Sequence, residues 1–410
     1  MRKQYSMIKL ISKLGPGLLF AGAAIGVSHL VQSTRAGADF GWGLIWALII
    51  VNILKYPFFQ YGPRYAMATG ESLLDGYFKV GKIFLISYFI LNIATMFTIQ
   101  TAVTIVTAGL ASSLFGITDN MVTWSLIITI GCYMILLFGR YQLLDKMIKI
   151  IILILAVSTI LSTTVASFNS NEIFSFEQVF PTGSGLVFLV AFMGWMPAPL
   201  DISIWHSIWA IEKNKKQKIT PKESLFDFNV GYLATVILGI CFVSLGALVM
   251  YNSEVSFSNS GSVFAGQLIE LYTSNLGDNF YLIISICAFT TMLSTTITCL
   301  DASPRTMSKA TQLLTSNHNK NYYFHWISLL SAGTMLIFYY LLSEMGTLVE
   351  LATILSFITA PFYAILNYKL VVSSNMPKSH RPSKSMRIMS IIGILFLTVF
   401  ALGYILTRFI

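Results

Sequence analysis

The sequence predicts an all-α polytopic membrane protein with about eleven transmembrane helices. The 410-residue chain is 55% hydrophobic and only 10% charged, with a mean hydropathy of +0.73, whereas a soluble domain carries about 25% charged residues. Eleven apolar spans are also long enough to cross a bilayer, which takes roughly 17–25 residues. The spans cover residues 14–34, 42–64, 82–112, 120–139, 146–167, 184–208, 228–251, 277–300, 326–342, 345–368 and 387–409. The third span fits either one long tilted helix or a helix followed by a short cap.

The positions of the basic residues support this count. If the N-terminus lies in the cytoplasm and the chain alternates sides, 23 of the 26 Lys and Arg residues fall on the cytoplasmic side. Such asymmetry follows the positive-inside rule. It predicts a multi-pass protein of the cell (plasma or inner) membrane with a cytoplasmic N-terminus and an external C-terminus. The net charge of +9 is therefore explained by the cytoplasmic loops of a membrane protein. We expect a lipid bilayer around the protein and no nucleic-acid partner.

The remaining sequence leaves little room for catalysis. The loops between spans are short, and no Ser/His/Asp, P-loop or HExxH pattern lies in a suitable context, so we expect no enzyme and no resident cofactor. The basic start resembles a signal peptide, but its apolar run is long and ten further spans follow it. The four cysteines lie in apolar spans without CxxC spacing, which predicts packing roles; they are Cys132, Cys241, Cys287 and Cys299.

Spans 1 and 6 share an irregularity. Five identities recur at a constant offset of 168 residues: Gly15/Gly183, Gly17/Gly185, Leu18/Leu186, Phe20/Phe188 and Gly26/Gly194. Each span then carries residues that hydrocarbon disfavours, in the segments Gly26-Val-Ser-His29 and Met196-Pro-Ala-Pro-Leu-Asp201. Because the two spans enter from opposite sides, they predict an inverted 5+5 repeat with broken helices 1 and 6.

The predicted organisation is therefore a single transmembrane domain over residues 1–410. Residues 14–167 form the first five-helix repeat, residues 184–368 the inverted second repeat, and residues 387–409 an additional helix 11. Gly/Pro-interrupted apolar segments at corresponding positions of two halves indicate a binding site near the bilayer midplane. Broken backbone at that depth is tolerated only where it is buried in protein or lines a cavity.

Several segments resemble the natural-resistance-associated macrophage protein (Nramp) family, and they are spread along nearly the whole chain. They are Gly15-Pro-Gly-Leu-Leu, Arg35-Ala-Gly-Ala-Asp-Phe-Gly-Trp-Gly-Leu-Ile-Trp46, Thr69-Gly70, Met196-Pro197, His206-Ser207, Ser294-Thr-Thr-Ile-Thr298 and Leu355-Ser356 with Pro361-Phe362. The resemblance implies eleven or twelve helices in the inverted 5+5 arrangement. It also implies transport of divalent transition metals driven by protons.

The chain departs from the family at the functional positions. The family carries Asp-Pro-Gly-Asn at the break of helix 1, where the Asp and Asn bind metal, and this chain has Gly26-Val-Ser-His29. In helix 6 the family's Met-Pro-His is matched by Met196-Pro197, but Ala198 stands in the place of the histidine and Asp201 follows. The resemblance therefore does not carry the identity of the metal or the coupling to protons.

The two breaks hold the candidate substrate or metal ligands: Gly26, Ser28, His29, Met196, Ala198 and Asp201. A mid-membrane Asp costs about 2.5–3.5 kcal/mol, so Asp201 is expected to bind substrate or to pair with Lys55. Neutral imidazole suits Zn, Cu, Fe and Ni, and His29 also titrates in a useful range for a coupling proton; the alternative is a packing histidine. Met196 is either a soft ligand or a core residue. We expect His29 and Asp201 to approach each other near the midplane, with Met196 close by.

Four further residues are candidates for a proton path or a gate: His206, Gln100, Lys55 and Glu350. The resemblance places the family's acidic proton-path pair at Gln100 and Val103, and its second helix-6 histidine at His206. Lys55 either snorkels to the interface or pairs with Asp201 or Glu350, and beside the site its charge would oppose a divalent cation. Glu350 lies near the outer end of its span and is structural or gating.

Two carrier functions remain open from the sequence. The first is a divalent metal carrier of the Nramp-related kind, with the ion as cargo, working by alternating access; its coupling to protons is expected to be weak or differently wired. The second is a carrier of an amino acid or other small solute on the same fold, with half-helix N-termini facing an anionic group. A weaker third class is a sensor that transports nothing. The sequence predicts no particular oligomeric state.

Overall fold

The computed structural model describes residues 15–138, 141–170, 174–175, 177–252, 257–317, 319–340 and 345–406. The basic N-terminal residues and residues 407–409 of the eleventh span lie outside this part of the chain. Within it we number fifteen α-helices. They are α1 Pro16–Ala24, α2 Thr34–Phe40, α3 Ile45–Thr69, α4 Leu73–Val80, α5 Lys82–Phe115, α6 Met121–Leu137, α7 Tyr141–Asn169, α8 Ser184–Trp195, α9 Ile202–Lys216, α10 Pro221–Val249, α11 Gly261–Leu276, α12 Tyr281–Thr315, α13 Tyr323–Tyr340, α14 Met345–Val372 and α15 Lys384–Leu406.

Every predicted span coincides with a helix or a pair of helices, which confirms the all-α class. The third span is the single 34-residue helix α5. Some of the segments predicted as loops between spans are helical. They contain the short helices α4 and α11, and α12 continues beyond its predicted span to Thr315. By length and composition alone, five of the described helices are sufficient to cross a membrane, or six if the bent first span counts as one. The other spans are shorter, interrupted or more polar.

The first span is broken as predicted. Helix α1 ends at Ala24, a π-helical turn covers Ser28–Ser33, and α2 follows directly. The two halves meet at an angle of 47°. Hydroxyl groups stabilise the wide turn, because Ser33 Oγ donates to the Ser28 carbonyl at 3.0 Å and Thr34 Oγ1 donates to the His29 carbonyl at 3.3 Å. A π-helical insertion of this kind is a recognised device at functional sites.

The broken first span lies directly on α10, with backbone against backbone. A Cβ atom on Gly17 would meet the Asp227 carbonyl oxygen at 2.0 Å, and one on Gly231 would meet the Gly17 carbonyl oxygen at 2.1 Å. Near the other end, a Cβ on Gly246 would lie 2.2 Å from the Thr34 carbonyl oxygen. Small residues allow this approach, as is usual where helices associate in a membrane. Both halves of the broken helix are thereby held against one continuous helix.

The N-terminus of α1 is anchored to the same partner by a charged group. The buried carboxylate of Asp227 accepts hydrogen bonds from the Gly15 N–H at 3.0 Å and the Gly17 N–H at 2.7 Å. The first N–H groups of a helix have no partner within the helix, and a negative charge at this end is favoured by the helix dipole. Asp227 on α10 thus supplies the cap that α1 lacks locally.

We expect Gly231→Leu to destabilise the protein strongly. The new side chain would begin 2.1 Å from the Gly17 carbonyl oxygen, and overpacking of this kind costs about 1–3 kcal/mol or more. The matched control is Gly403→Leu on α15, where no atom lies within 4 Å of the added Cβ. Thermal melts of the two purified variants, followed by size-exclusion fluorescence, measure the difference. Equal melting temperatures would show that α1 and α10 are not in backbone contact.

Candidate functional site

The break in the first span is stabilised by local hydrogen bonds from both the backbone and a side chain. Ile25 has non-helical backbone angles, and the Gly26 N–H folds back to the Ala24 carbonyl at 2.9 Å. The Ser28 hydroxyl also lies 2.6 Å from that carbonyl oxygen. Gly26, predicted as a substrate contact, has a packing reason to be glycine, because a Cβ there would lie 2.8 Å from Thr295 Oγ1 on α12.

Prolines produce the break in the sixth span, as predicted. Helix α8 ends at Trp195, and α9 begins at Ile202. Pro197 and Pro199 have no backbone N–H to continue the helical hydrogen bonds. The Met193 carbonyl is therefore left without its helical donor four residues on, since that position is Pro197. Gly194, the predicted counterpart of Gly26, packs against α14, because a Cβ there would lie 2.2 Å from the Thr353 carbonyl oxygen.

The two breaks meet. Ser28 Oγ lies 3.3 Å from the Pro197 carbonyl oxygen, and residues from both breaks line one small cavity together with α5 and α12. Its volume is about 20 Å³, and a single water molecule needs about 10–15 Å³ by the same kind of measure. In this conformation the cavity therefore admits an ion or a water molecule and excludes an amino acid. Its lining is Ala23, Ala24, Val27, Ser28, Ile99, Val103, Trp195, Ala198, Pro199, Ile202, Trp205, Thr295 and Cys299.

Asp201 is buried at the start of α9, next to this cavity. Its carboxylate faces the backbone N–H groups of Asp201 itself and of Ile202, as expected for an acid at a helix N-terminus. Its Oδ1 atom has no hydrogen-bond partner. It lies close enough to Cys299, Tyr88 and Tyr363 to interact with each electrostatically. An unpartnered buried carboxylate oxygen is costly, so it marks a place where a ligand is expected.

His29 is hydrogen-bonded to α10 and to its own neighbour Ser28. Its Nε2 donates to the Thr235 carbonyl at 2.9 Å, and its Nδ1 lies 2.7 Å from the Ser28 hydroxyl. Both ring nitrogens are thus engaged in the arrangement seen here, and the ring packs edge-on against Phe242. The role of His29 as a metal ligand stays a prediction; the lone pair of Nδ1 would have to exchange its contact with the Ser28 hydroxyl for the metal, while the Nε2–H group could stay on the Thr235 carbonyl.

Met196 lies on the same side as His29. Its sulfur is 4.0 Å from Ser33 Oγ, and it lies beside Gly239 of α10. The predicted candidates therefore fall into two groups. Ser28 and Ala198 line the cavity that adjoins Asp201, whereas the side chains of His29 and Met196 face α10. The convergence of His29, Met196 and Asp201 on one site therefore stays a prediction.

Lys55 makes neither of its predicted contacts. It is fully buried, so it does not snorkel. Its Nζ donates to four backbone carbonyls at the end of α8 and in the break, rather than to Asp201 or Glu350. The distances are 2.7 Å to Met193, 2.8 Å to Gly194, 3.1 Å to Met196 and 3.5 Å to Ala198.

The other proton-path and gating candidates lie apart from the cavity or carry no titratable group. His206 is fully buried on α9, stacks on Phe20 at 5.8 Å, and has no hydrogen-bond partner at either ring nitrogen. Gln100 donates to Thr104 Oγ1 at 3.2 Å and to the Thr296 carbonyl at 3.4 Å. Glu350 is exposed at the start of α14. Val103, at the family's second acidic position, lines the cavity with an apolar group.

A larger, open vestibule lies beside the small cavity, on the side that the charge pattern assigns to the cytoplasm. Its volume is about 720 Å³, and α1, α9 and α12 line it. Thr298 lines the vestibule and its neighbour Cys299 lines the small cavity, so a short stretch of α12 joins the two spaces. Asp301 also lines the vestibule, and it accepts hydrogen bonds from Arg305 Nε at 2.7 Å and from the Tyr323 hydroxyl at 2.6 Å.

Sequence reasoning missed Cys299 and Thr295 as cavity residues. They lie four residues apart on α12, so they share one face of that helix, and this spacing beside the family-like Ser294–Thr298 segment was the available sign. The described residues contain no group of three or more His, Cys, Asp or Glu side chains placed to hold a metal ion. A cation at this site would therefore rely on backbone carbonyls, the hydroxyls of Ser28 and Thr295, the Cys299 sulfur and one carboxylate.

Comparison with known proteins identifies the family. A sequence profile described as natural resistance-associated macrophage protein-like matches residues 17–407. An uncharacterized protein of Pasteurella multocida is 34% identical over 403 residues, covering 96% of this chain and 91% of that protein.

Solved structures share the fold at low identity. A mutant of the Eremococcus coleocola manganese transporter superposes with a TM-score of 0.74 and 15% identity, over 96% of this chain and 86% of that one. MhsT in complex with L-phenylalanine gives 0.61 and 13%, over 94% and 98% of the two chains. Mhp1, a nucleobase-cation-symport-1 family transporter, gives 0.59 and 14%, over 97% and 93%. The profile match over almost the entire chain shows that this protein belongs to the natural resistance-associated macrophage protein (Nramp) family.

Proposed function

We propose that the protein is a secondary carrier that moves a divalent transition-metal cation across the cell membrane by alternating access. The observation that carries this proposal is the small cavity between the two helix breaks, with the unpartnered Asp201 carboxylate beside it. A space of about 20 Å³ suits an ion stripped of most of its water. Family membership and the likeness to a manganese transporter structure support the same cargo class.

The chemistry of the lining favours a borderline metal. Oxygen donors come from the Ser28 hydroxyl, the Asp201 carboxylate and unwound carbonyls, and a soft sulfur is available from Cys299. Mixed oxygen and sulfur ligands suit Mn²⁺, Fe²⁺ or Zn²⁺ better than Mg²⁺, which prefers all-oxygen octahedral coordination and gives up its water reluctantly. The wide vestibule provides the route from the cavity to the cytoplasmic side.

A second candidate function, transport of a small organic solute, is favoured by one specific observation. The Lys55 ammonium lies at the break of the sixth span. Its positive charge would attract an anionic group of a substrate and repel a divalent cation. The folds of MhsT and Mhp1, whose structures hold L-phenylalanine and bromovinylhydantoin, show that such cargo is compatible with the architecture. The cavity seen here would have to enlarge to admit it.

We expect Asp201→Asn to reduce Mn²⁺ uptake by about tenfold or more, because losing a charged ligand costs on the order of 1.5–3 kcal/mol. Uptake into proteoliposomes is the measurement, with a thermal melt to show that the variant is folded. Asp278→Asn is the matched control, since this carboxylate is exposed and outside the site. Normal uptake by folded Asp201→Asn would exclude the carboxylate from the cargo site.

Selectivity provides an independent check of the cargo class. Proteoliposomes should accumulate Mn²⁺, Fe²⁺ or Zn²⁺ in preference to Mg²⁺, because only the former group gains from the sulfur in the lining. A parallel panel of amino acids and other small solutes tests the second candidate function. Uptake of Mg²⁺ alone would contradict the metal selectivity, and uptake of a solute without any metal would replace the first function by the second.

We expect the coupling of transport to protons to be weak, or to use different residues from those implied by the family. Gln100 and Val103 occupy the family's acidic positions and carry no proton, and Gln100 is instead hydrogen-bonded to Thr104 and α12. The measurement is the lumenal pH, read with a trapped dye during Mn²⁺ uptake, with protein-free liposomes as the control. Acidification in fixed proportion to the metal taken up would contradict this expectation.

A further inference from the structure

The end of α8 presents an unusual group of backbone oxygens, which we call the carbonyl cage: the carbonyls of Met193, Gly194, Met196 and Ala198. A helix leaves its last carbonyls without internal partners. Met193 and Gly194 are among these last carbonyls, and Pro197 has no N–H to offer Met193 beyond the helix end. In a bilayer no water is at hand to satisfy such groups, and at other broken helices the C-terminal ends and unwound carbonyls hold a transported cation.

The carbonyl cage is filled by a side chain from another helix. Lys55 of α3 reaches it from the middle of its span and is fully buried. Three of its contacts are short, at 2.7, 2.8 and 3.1 Å, and the fourth is 3.5 Å. Three short contacts to acceptors match the three N–H donors of an ammonium group. A neutral amine has only two donors, and its lone pair would face a carbonyl oxygen.

We propose that the carbonyl cage is a cation-binding site that this chain fills with its own tethered ammonium, Lys55. The site takes a small cation with N–H donors, and in the native protein the side chain excludes free ammonium and alkali ions from it. The negative end of the α8 dipole and the four oxygens compensate the charge, so that no carboxylate is needed. This assignment holds whether the transported substrate is a metal or an organic solute.

The other break shows why a remote cation is used here. At the end of α1 the freed Ala24 carbonyl is satisfied locally, by the Gly26 N–H at 2.9 Å and by the Ser28 hydroxyl at 2.6 Å. The sixth span has prolines in the segment after the end of α8. Its Asp201 carboxylate lies at the start of α9 and donates no hydrogen bond. Among the described residues, the hydrogen bonds to the carbonyl cage come from Lys55 on a neighbouring helix.

Chemical rescue tests the proposal without any transport assay. Lys55→Ala removes three methylene groups and the ammonium, which n-propylammonium replaces. We expect the purified full-length variant to melt about 5 °C or more below the native protein, a shift typical of a loss of one or two buried interactions. Millimolar n-propylammonium should restore most of that loss. Tetramethylammonium, which is charged but has no N–H, and n-propanol, which has no charge, should not.

Two comparisons make the result decisive. Lys79→Ala removes an exposed lysine that pairs with Glu71, and neither this variant nor the native protein should respond to n-propylammonium. An equal response of all three proteins, or a Lys55→Ala melting temperature equal to that of the native protein, would overturn the proposal.

Should Lys55→Ala yield no folded protein, two conservative variants provide the test. Lys55→Arg keeps a charged donor and Lys55→Met keeps the approximate length and removes the charge. We expect Lys55→Arg to give several times more folded protein than Lys55→Met, measured by size-exclusion chromatography of equal expression cultures. Equal yields would show that the side chain only fills space, and that the carbonyl cage is not a cation site.

Discussion

The hydrogen bonds from Lys55 to the end of α8 make the arrangement of the site possible. Breaking a helix in the middle of a membrane leaves carbonyls that neither lipid nor backbone can satisfy, and the prolines that cause the break remove the local donors as well. One ammonium group from α3 satisfies several of these oxygens together. With them satisfied, the segment between Trp195 and Ile202 can hold an extended path beside the first break, and Asp201 can stand at the start of α9 with a free oxygen.

Much of the fold was predictable from the sequence because it depends on composition and repetition. Apolar length gave the helical spans, and the Gly26/Gly194 correspondence gave the two breaks, which do meet in the structure. The site was less predictable, because it depends on where side chains turn. His29 and Met196 sit in the right segments, yet both face α10, since the π-helical turn rotates the first and the extended backbone directs the second. Lys55 was expected to seek a carboxylate or water, but the sequence does not show that backbone oxygens would be freed within its reach. Cys299 was read as packing because it lies in an apolar span and the cysteines have no CxxC spacing.

Membership of the Nramp family and the residues of the site convey different information. The family match covers nearly the whole chain and accounts for the architecture, which depends on glycines that permit backbone contact and on prolines that interrupt helices. The ligands can change without affecting that framework, because the breaks only have to present donors and acceptors to a common space. Here the space is lined by a hydroxyl, a thiol and carbonyls, with a carboxylate next to it and an ammonium behind it. The sixth-span break thus has a buried ammonium at its carbonyls and a buried carboxylate at the start of the next helix.

The cap that Asp227 places on α1 has a mechanical consequence. Opening a pathway by tilting the short first half of a broken helix requires its N-terminal end to move, and this end is fastened to α10 by two charge-assisted bonds at 2.7 and 3.0 Å. Such bonds contribute about 1.5–3 kcal/mol each. Either the N-terminal part of α10, with Asp227 in its second turn, travels with α1 as one unit, or the bonds break and water must reach the exposed carboxylate. Rotation of α1 about the break near Ile25 is therefore coupled to the Asp227 bonds at the N-terminus of α1. The amplitude and the rate of that rotation depend on contacts more than two helical turns away from Ile25.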